Sequence, residues 1–155
     1  MHEDPISAAA ARLLIADGAY TLQAAQGAAW AEVAVLPGGA RALLPDTRSV
    51  DERGLEAAIE AAEDWLMPHA AGLRGAILEV SDPTGRLASG LREVLGVRAV
   101  AWSVADVEGF FLRLIDLTTG RTPSAAVQGR QAFIADVLIV RELAHHGQVR
   151  QIRLG

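Results

Sequence analysis

The chain lacks three residue types whose side chains carry much of protein chemistry. Its 155 residues include no cysteine, no lysine and no asparagine, and all fourteen basic residues are arginine. Without cysteine, the chain has no disulfides, thiol nucleophiles, iron–sulfur ligands or zinc–thiolate sites. Without lysine, the chain cannot use mechanisms that need a lysine to form a Schiff base or to bind phosphate.

Net charge and aromatic content limit the kinds of molecule that the chain is expected to bind. The formal net charge is −5, and aromatic residues make up only 5% of the chain. A negative surface disfavours nucleic acids and anionic membranes, and so few aromatic side chains provide no stacking ladder for single strands. The acidic start of the chain lacks a signal-peptide pattern, and no apolar run approaches the roughly 20 residues of a spanning helix. We therefore expect a cytoplasmic protein that binds neither nucleic acid nor membrane.

The apolar content predicts a folded domain. Hydrophobic residues make up 51% of the chain, slightly above the ~45–50% that is ordinary for globular proteins. A compact chain of this length buries roughly 70% of its unfolded surface and needs no covalent crosslinks. We expect residues 1–155 to form a single globular domain.

In the first half of the chain, apolar spacing and turn signals predict a helix, a meander and a second helix. Asp4 and Pro5 are typical of a helix start, and residues 49–52 match a capping box. Alternating apolar residues predict strands. The predicted elements are a helix at residues 4–18, strands at 20–26, 30–36 and 40–44, and a helix at 49–67.

The second half predicts a βαβ-like unit and a long buried helix. Its predicted elements are a strand at 75–80, a helix from Asp82 to Gly96, strands at 97–103 and 110–117, a helix at 122–147 and an edge strand at 149–154. The apolar stripe of the last helix is too broad for a surface helix, so we expect that helix to be deeply buried. The fold class predicted is α+β (mixed α/β): a single domain with a β-meander, one βαβ-like unit, and a mixed sheet packed by about four helices.

The loop between the strand at 75–80 and the following helix is the candidate ligand site. Ser81, Asp82, Thr84, Gly85 and Arg86 follow a strand and open a helix, the position where α/β proteins bind anions. The loop lacks the glycine-rich phosphate-binding patterns, and an aspartate at a helix start already occupies the free amides. An ordinary helix start is therefore the favoured interpretation, and the ligand loop is the alternative.

Histidine and acidic side chains do not predict a metal site. Glu142 and His146 have the i, i+4 spacing of a metal-binding pair on a helix, but two ligands do not make a site. His145 and His146 lie near a predicted helix end, where a protonated imidazole meets the negative end of the dipole. Glu60 and Glu63 belong to an acidic run that we assign to a solvated helix face. We predict no metal and no cofactor.

Two tryptophans are candidate interface residues. Trp30 shares its predicted strand face with Glu32, and Trp65 falls at the edge of its helix's apolar stripe. Packing against the core is the favoured interpretation of both, and a place in a subunit interface, where tryptophan is enriched, is the alternative. The high apolar fraction also predicts association, with a homodimer as the commonest form.

Two classes of function follow from these patterns. The absence of catalytic spacing favours a non-catalytic assembly, regulatory or protein-interaction module that self-associates. The alternative is a small-molecule-binding protein or small enzyme that uses the loop at residues 81–85, with an arginine such as Arg86 for an anionic ligand.

Overall fold

Six strands form one mixed sheet in the computed structural model, which describes residues 10–121 and 123–155. The order across the sheet is β3-β2-β1-β4-β6-β5, with β1, β2 and β3 forming an antiparallel meander. β4 is parallel to both β1 and β6, and β5 is antiparallel to β6. The strands are β1 (Ala10–Ala16), β2 (Ala19–Gln26), β3 (Ala29–Pro37), β4 (Ile77–Ser81), β5 (Ala101–Trp102) and β6 (Gln151–Leu154).

The described residues also form five helices, one of which is central. They are α1 (Ala40–Leu43), α2 (Glu52–Leu66), α3 (Arg86–Leu95), α4 (Val104–Thr119) and α5 (Gln131–Gly147), with 3₁₀ segments at Met67–Leu73 and Ala125–Val127. α1, α2, α3 and α4 all pack against α5, which is buried along nearly its whole length. The predictions of a mixed α/β fold class and of a deeply buried last helix are confirmed.

Burial alternates along the strands, so the two faces of the sheet differ. Leu13, Ile15 and Leu22 are almost completely buried. Arg12 and Leu14, which point the other way, remain partly exposed. The apolar face carries the core, and the opposite face keeps partial contact with solvent, as an antiparallel meander allows.

The first strand corrects a predicted helix. Residues 10–16 form β1, which is paired with β2 on one side and β4 on the other. Leu13 and Leu14 fit a helical stripe as well as a strand. Only pairing to two neighbours decides between them, because it satisfies the backbone groups on both strand edges. The predicted start of that helix at Asp4 and Pro5 lies outside the described residues.

Two more predicted strands are helices. Residues 40–44 contain α1, which follows two glycines with positive φ, Gly38 and Gly39. The predicted strand at 110–117 lies inside α4. The true start signal of α4 is a capping box formed by Ser103 and Asp106, and the buried Val107, Phe111 and Leu114 recur at helical spacing.

The last helix, predicted to begin at residue 122, begins at Gln131 as α5, and residues 125–127 form a separate 3₁₀ segment. Three smaller features also differ from expectation. Asp51, rather than Ser49, caps α2 by accepting from the Gly54 amide at 2.7 Å. The strand predicted at 97–103 shortens to the two residues of β5. β6 lies between β4 and β5 instead of at the edge, so β6 and not β5 is the second parallel neighbour of β4.

Close contact between α3 and α5 requires a glycine. A Cβ built on Gly90 of α3 would overlap the ring of Phe133 on α5. We expect Gly90→Ala to destabilise the protein by about 1–3 kcal/mol, as overpacking does. Gly109→Ala in α4 is the matched control, because its Cβ meets nothing within 4 Å and should add about 0.5–1 kcal/mol. Urea unfolding midpoints measure both, and an unshifted midpoint for Gly90→Ala would contradict this packing.

Within the described ranges, no helix combines the length and apolar character that crossing a bilayer requires.

Candidate functional site

The candidate site lies where the parallel strands end. β1 ends just before Asp17, and β4 ends at Ser81, where the loop to α3 begins. From β1 the chain turns back to β2, toward one edge of the sheet. From β4 it continues through α3 toward the opposite edge. This divergence leaves a crevice outside the carboxyl ends of β1 and β4, the usual place for a ligand in an α/β sheet.

The loop after β4 is fastened by Asp82. One carboxylate oxygen accepts hydrogen bonds from the amides of Leu87 and Ala88, at 2.9 and 3.0 Å. The other accepts from the Thr84 hydroxyl at 3.2 Å. Gly85 takes a left-handed conformation with φ 75° and occupies the cap position. Asp82 thus fills the first amides of α3, and these amides do not provide an open anion site.

Arg86 is held by a buried carboxylate. Its Nε and Nη2 donate to the two oxygens of Asp136 on α5, each at 2.7 Å. The Tyr20 hydroxyl donates to Oδ1 of the same carboxylate, also at 2.7 Å. Asp136 is completely buried. This bidentate pair fixes the guanidinium between the sheet and α5 and gives it a defined orientation.

Burial and the mutual hydrogen bonds shift the pKa values of Asp136, Tyr20 and Arg86. Burial raises the pKa of Asp136, and the Arg86 and Tyr20 donors oppose that rise. Burial beside the carboxylate also raises the pKa of Tyr20. The hydrogen bonds to Asp136 raise the pKa of Arg86. Arg86 therefore remains a permanent cation.

Arg86 also reaches the surface. Its side chain is 22% exposed, and its Nη1 lies 3.9 Å from Oδ1 of the exposed Asp17. A cleft of about 290 Å³ opens here, between β1, α1 and the start of α5. Arg41 and Asp46, both in its lining, form an exposed ion pair at 3.5 Å. The cleft lining comprises Asp17, Ala40, Arg41, Leu44, Asp46, Arg86 and Ala132.

This arrangement joins an anchored cation to an exposed one. Arg86 is fixed by the buried Asp136, whereas Arg41 is largely exposed and pairs with the exposed Asp46. Guanidinium groups bind phosphate and carboxylate oxygens through paired N–H donors. The carboxylates of Asp17 and Asp46 beside them are oxygen ligands of the kind that a hydrated Mg²⁺ prefers.

Larger grooves lie elsewhere on the surface. One of about 420 Å³ runs between α1 and the start of α2, and one of about 380 Å³ lies beside the 3₁₀ segment at Ala125–Val127. Neither lies at the carboxyl ends of the parallel strands. Position in the sheet therefore favours the smaller cleft.

Of the predicted loop residues, only Arg86 lines the cleft. Asp82, Thr84 and Gly85 shape the start of α3, and Ser81 ends β4. Sequence reasoning missed Asp17, Arg41, Asp46 and Asp136. The available signal was Asp17 followed by Gly18, which marks a strand end once residues 10–16 are recognised as a strand.

The two tryptophans lie in different environments. Trp30 is partly exposed on the edge strand β3, and the Arg12 guanidinium lies 4.5 Å from its ring centroid. Trp65 on α2 packs against the core. Its ring nitrogen is buried and has no hydrogen-bond partner among the described residues.

The comparisons with known proteins find likeness in structure and none in sequence. No family model matches the chain, and no curated protein has a significant match to it. A Ppx/GppA phosphatase of Aquifex aeolicus superposes with a TM-score of 0.68 at 12% identity, over 97% of this chain and 54% of that chain. Another structure, of the PPX-GPPA enzyme of the same organism, gives a TM-score of 0.71 at 11% identity, over 97% and 54% of the two chains.

An exopolyphosphatase from Cytophaga hutchinsonii gives a TM-score of 0.65 at 11% identity, over 96% of this chain and 53% of that chain. The present chain thus spans about half the length of these solved proteins. At such low identity, the likeness shows a shared fold.

The shared fold corrects the function predicted from sequence. The interpretation as a non-catalytic assembly module is wrong, because the solved proteins of this fold are named as phosphatases and exopolyphosphatases. The alternative, a small enzyme or binding protein for an anionic ligand, is better supported.

Proposed function

We propose that the cleft at Asp17, Arg41 and Arg86 binds a phosphate-bearing ligand, and that the chain acts in phosphate-ester or phosphoanhydride hydrolysis. The observation that carries this proposal is Arg86, a cation fixed by the buried Asp136 at the carboxyl ends of β1 and β4. The fold shared with phosphatases and exopolyphosphatases supports the same class of substrate.

Because the protein has a net negative charge, phosphate binding at the cleft requires the two arginines. A chain with a net charge of −5 repels polyanions in general. Binding of phosphate then depends on local guanidinium groups, with Arg86 as the oriented donor and Arg41 as the group that closes on the ligand. Asp17 and Asp46 line the same cleft, and their carboxylates would hold a hydrated Mg²⁺ against the phosphate oxygens, the usual way in which this ion joins carboxylates to substrate.

Binding of tripolyphosphate in the presence of Mg²⁺ tests the site. We expect Arg41→Ala to weaken binding roughly tenfold or more, because hydrogen bonds to charged groups contribute about 1.5–3 kcal/mol. Arg74→Ala is the matched control, since Arg74 is exposed and lies outside the cleft lining. Isothermal titration calorimetry measures both. Equal affinity for Arg41→Ala and the parent, or no binding by the parent, overturns the proposed site.

Release of inorganic phosphate tests the reaction separately. We expect the parent to hydrolyse tripolyphosphate in the presence of Mg²⁺, and we expect Asp17→Asn to lose that activity. The variant should remain folded, because Asp17 is exposed at the end of β1. Circular dichroism confirms folding of the variant. Binding without any phosphate release by the parent would reject hydrolysis by this chain and retain the ligand site.

We also propose that two copies of the chain associate through the partly exposed face and edge of the meander. β3 is an edge strand that carries Trp30 and the exposed Val33 and Val35. An apolar edge strand of this kind is prone to pairing with another chain. Trp65 is a weaker candidate, because it packs against the core. Light scattering should show the mass of two chains, and Trp30→Arg should reduce it to one. A single-chain mass for the parent at every concentration rejects this association.

A further inference from the structure

A second cluster of chemistry-bearing side chains lies far from the cleft. Glu63 near the end of α2 meets Glu142 and His146 in the last turns of α5. His146 Nε2 lies 3.0 Å from Glu63 Oε2 and 3.2 Å from Glu142 Oε1. One donor atom from each of the three residues lies within 4.8 Å of the other two. Ala132, at the cleft, is about 20 Å away along α5 at 1.5 Å per residue.

Glu142 is the unusual member of this cluster. It is completely buried, and Arg141 donates a hydrogen bond to its Oε2. Its Oε1 is buried and has no hydrogen-bond partner among the described residues, although it faces the His146 ring nitrogen. The Nε2 atom of His146 forms its hydrogen bond with Glu63 instead. A buried carboxylate oxygen without a hydrogen-bond partner is costly, and coordination of a cation is one way to satisfy it.

The local charge balance points to a divalent cation. Glu63, Glu142 and Glu108 are three carboxylates, and Arg141 is the guanidinium that contacts the last two of them. The carboxylates exceed the guanidinium by two charges, which one divalent cation balances. Arg141 also lies over the Phe111 ring at 4.9 Å. Its several contacts fix the orientation of Glu142, as residues that support metal ligands do.

We propose that Glu63, Glu142 and His146 form a binding site for a divalent transition metal of the zinc class. Bonds of about 2.0–2.2 Å to imidazole nitrogen and carboxylate oxygen place tetrahedral ligands roughly 3.3 Å apart. The distances of 3.0 and 3.2 Å from His146 are close to that spacing. An imidazole ligand favours Zn²⁺ over Mg²⁺ and Ca²⁺, which select oxygen alone.

The site has three protein ligands and an entry path. The side chains of Glu63 and His146 are 39% and 26% exposed, so solvent or an anion takes the fourth position, as in zinc sites that keep one position open. The metal joins α2 to the central helix α5. It therefore stabilises the packing of these helices and is independent of the proposed phosphate cleft.

Titration of metal-stripped protein with Zn²⁺ alone tests the site. We expect one equivalent to bind and to raise the melting temperature, because a ligand that binds only the folded state stabilises it. His146→Gln and Glu63→Gln should each weaken that binding at least tenfold and abolish the rise in melting temperature. Mg²⁺ at the same concentration should produce neither effect.

Two control variants distinguish binding at this site from non-specific binding of Zn²⁺ to surface side chains. His145→Gln changes the adjacent exposed histidine, and Glu60→Gln changes an exposed carboxylate on α2. Both should bind Zn²⁺ like the parent. The proposal is overturned if the parent binds no stoichiometric Zn²⁺, or if His146→Gln and Glu63→Gln bind it as tightly as the controls do. Because Glu63 and His146 are partly exposed, these variants should fold, and circular dichroism verifies this.

Discussion

Replacing Asp136 with alanine is expected to lower the free energy of unfolding by about 3–5 kcal/mol, the cost of leaving one member of a buried ion pair without its partner. Asp136 is completely buried and accepts three hydrogen bonds, two from Arg86 and one from Tyr20. Its loss leaves the guanidinium and the phenol without their acceptor beneath the sheet. A typical domain is stable by only about 5–15 kcal/mol, so the effect is large.

Denaturant unfolding measures this cost, and three further variants define its origin. Tyr20→Phe removes one donor and should cost about 1–3 kcal/mol. Asp64→Ala removes an exposed aspartate of α2 and should stay within about 0.5 kcal/mol of the parent. The double variant Arg86→Met, Asp136→Leu removes both charges and should be more stable than Asp136→Ala, because no buried charge remains unpaired. If Asp136→Ala unfolds at the same denaturant concentration as the parent, the buried pair does not stabilise the fold.

Leu138→Ala should cost about 2–5 kcal/mol, the range for a leucine truncated in a close-packed core. Leu138 lies on α5 and is completely buried. The other four helices pack against α5, so the cavity cannot collapse without moving several elements. The resulting loss combines missing transfer free energy with the cost of the cavity.

The matched control is Leu112→Ala on α4, where the leucine is 55% exposed. The same chemical change there should remain within about 0.5 kcal/mol of the parent. Unfolding curves for both variants give the comparison. Equal midpoints for the two would contradict the central position of α5.

The candidate site was only partly predictable. Arg86 was singled out because it follows a strand and begins a helix, and the structure does place it at the cleft. Asp136, which orients Arg86, lies 50 residues further along the chain. Nothing local in the sequence links the two residues, because the pairing is made when α5 packs beside α3.

The proposed zinc site shows the same limit. Glu142 and His146 stand at helical i, i+4 spacing, which the sequence displays by itself. Glu63 was assigned to a solvated acidic run, yet it lies 3.0 Å from the His146 ring nitrogen. The third ligand becomes visible only when α2 and α5 are packed together.

The sequence by itself determined the mixed α/β class, the meander strands at β2 and β3, the burial of α5 and the chemistry that missing cysteine and lysine exclude. Those features depend on composition and on local periodicity. Tertiary structure decided that residues 10–16 form a strand, because apolar neighbours there fit either element until pairing chooses. The helix at residues 104–119, in contrast, has a local signal in the capping box of Ser103 and Asp106 that the prediction did not use. Tertiary structure also decided which charged side chains meet, since contacts between residues distant in the chain are set by how the elements pack.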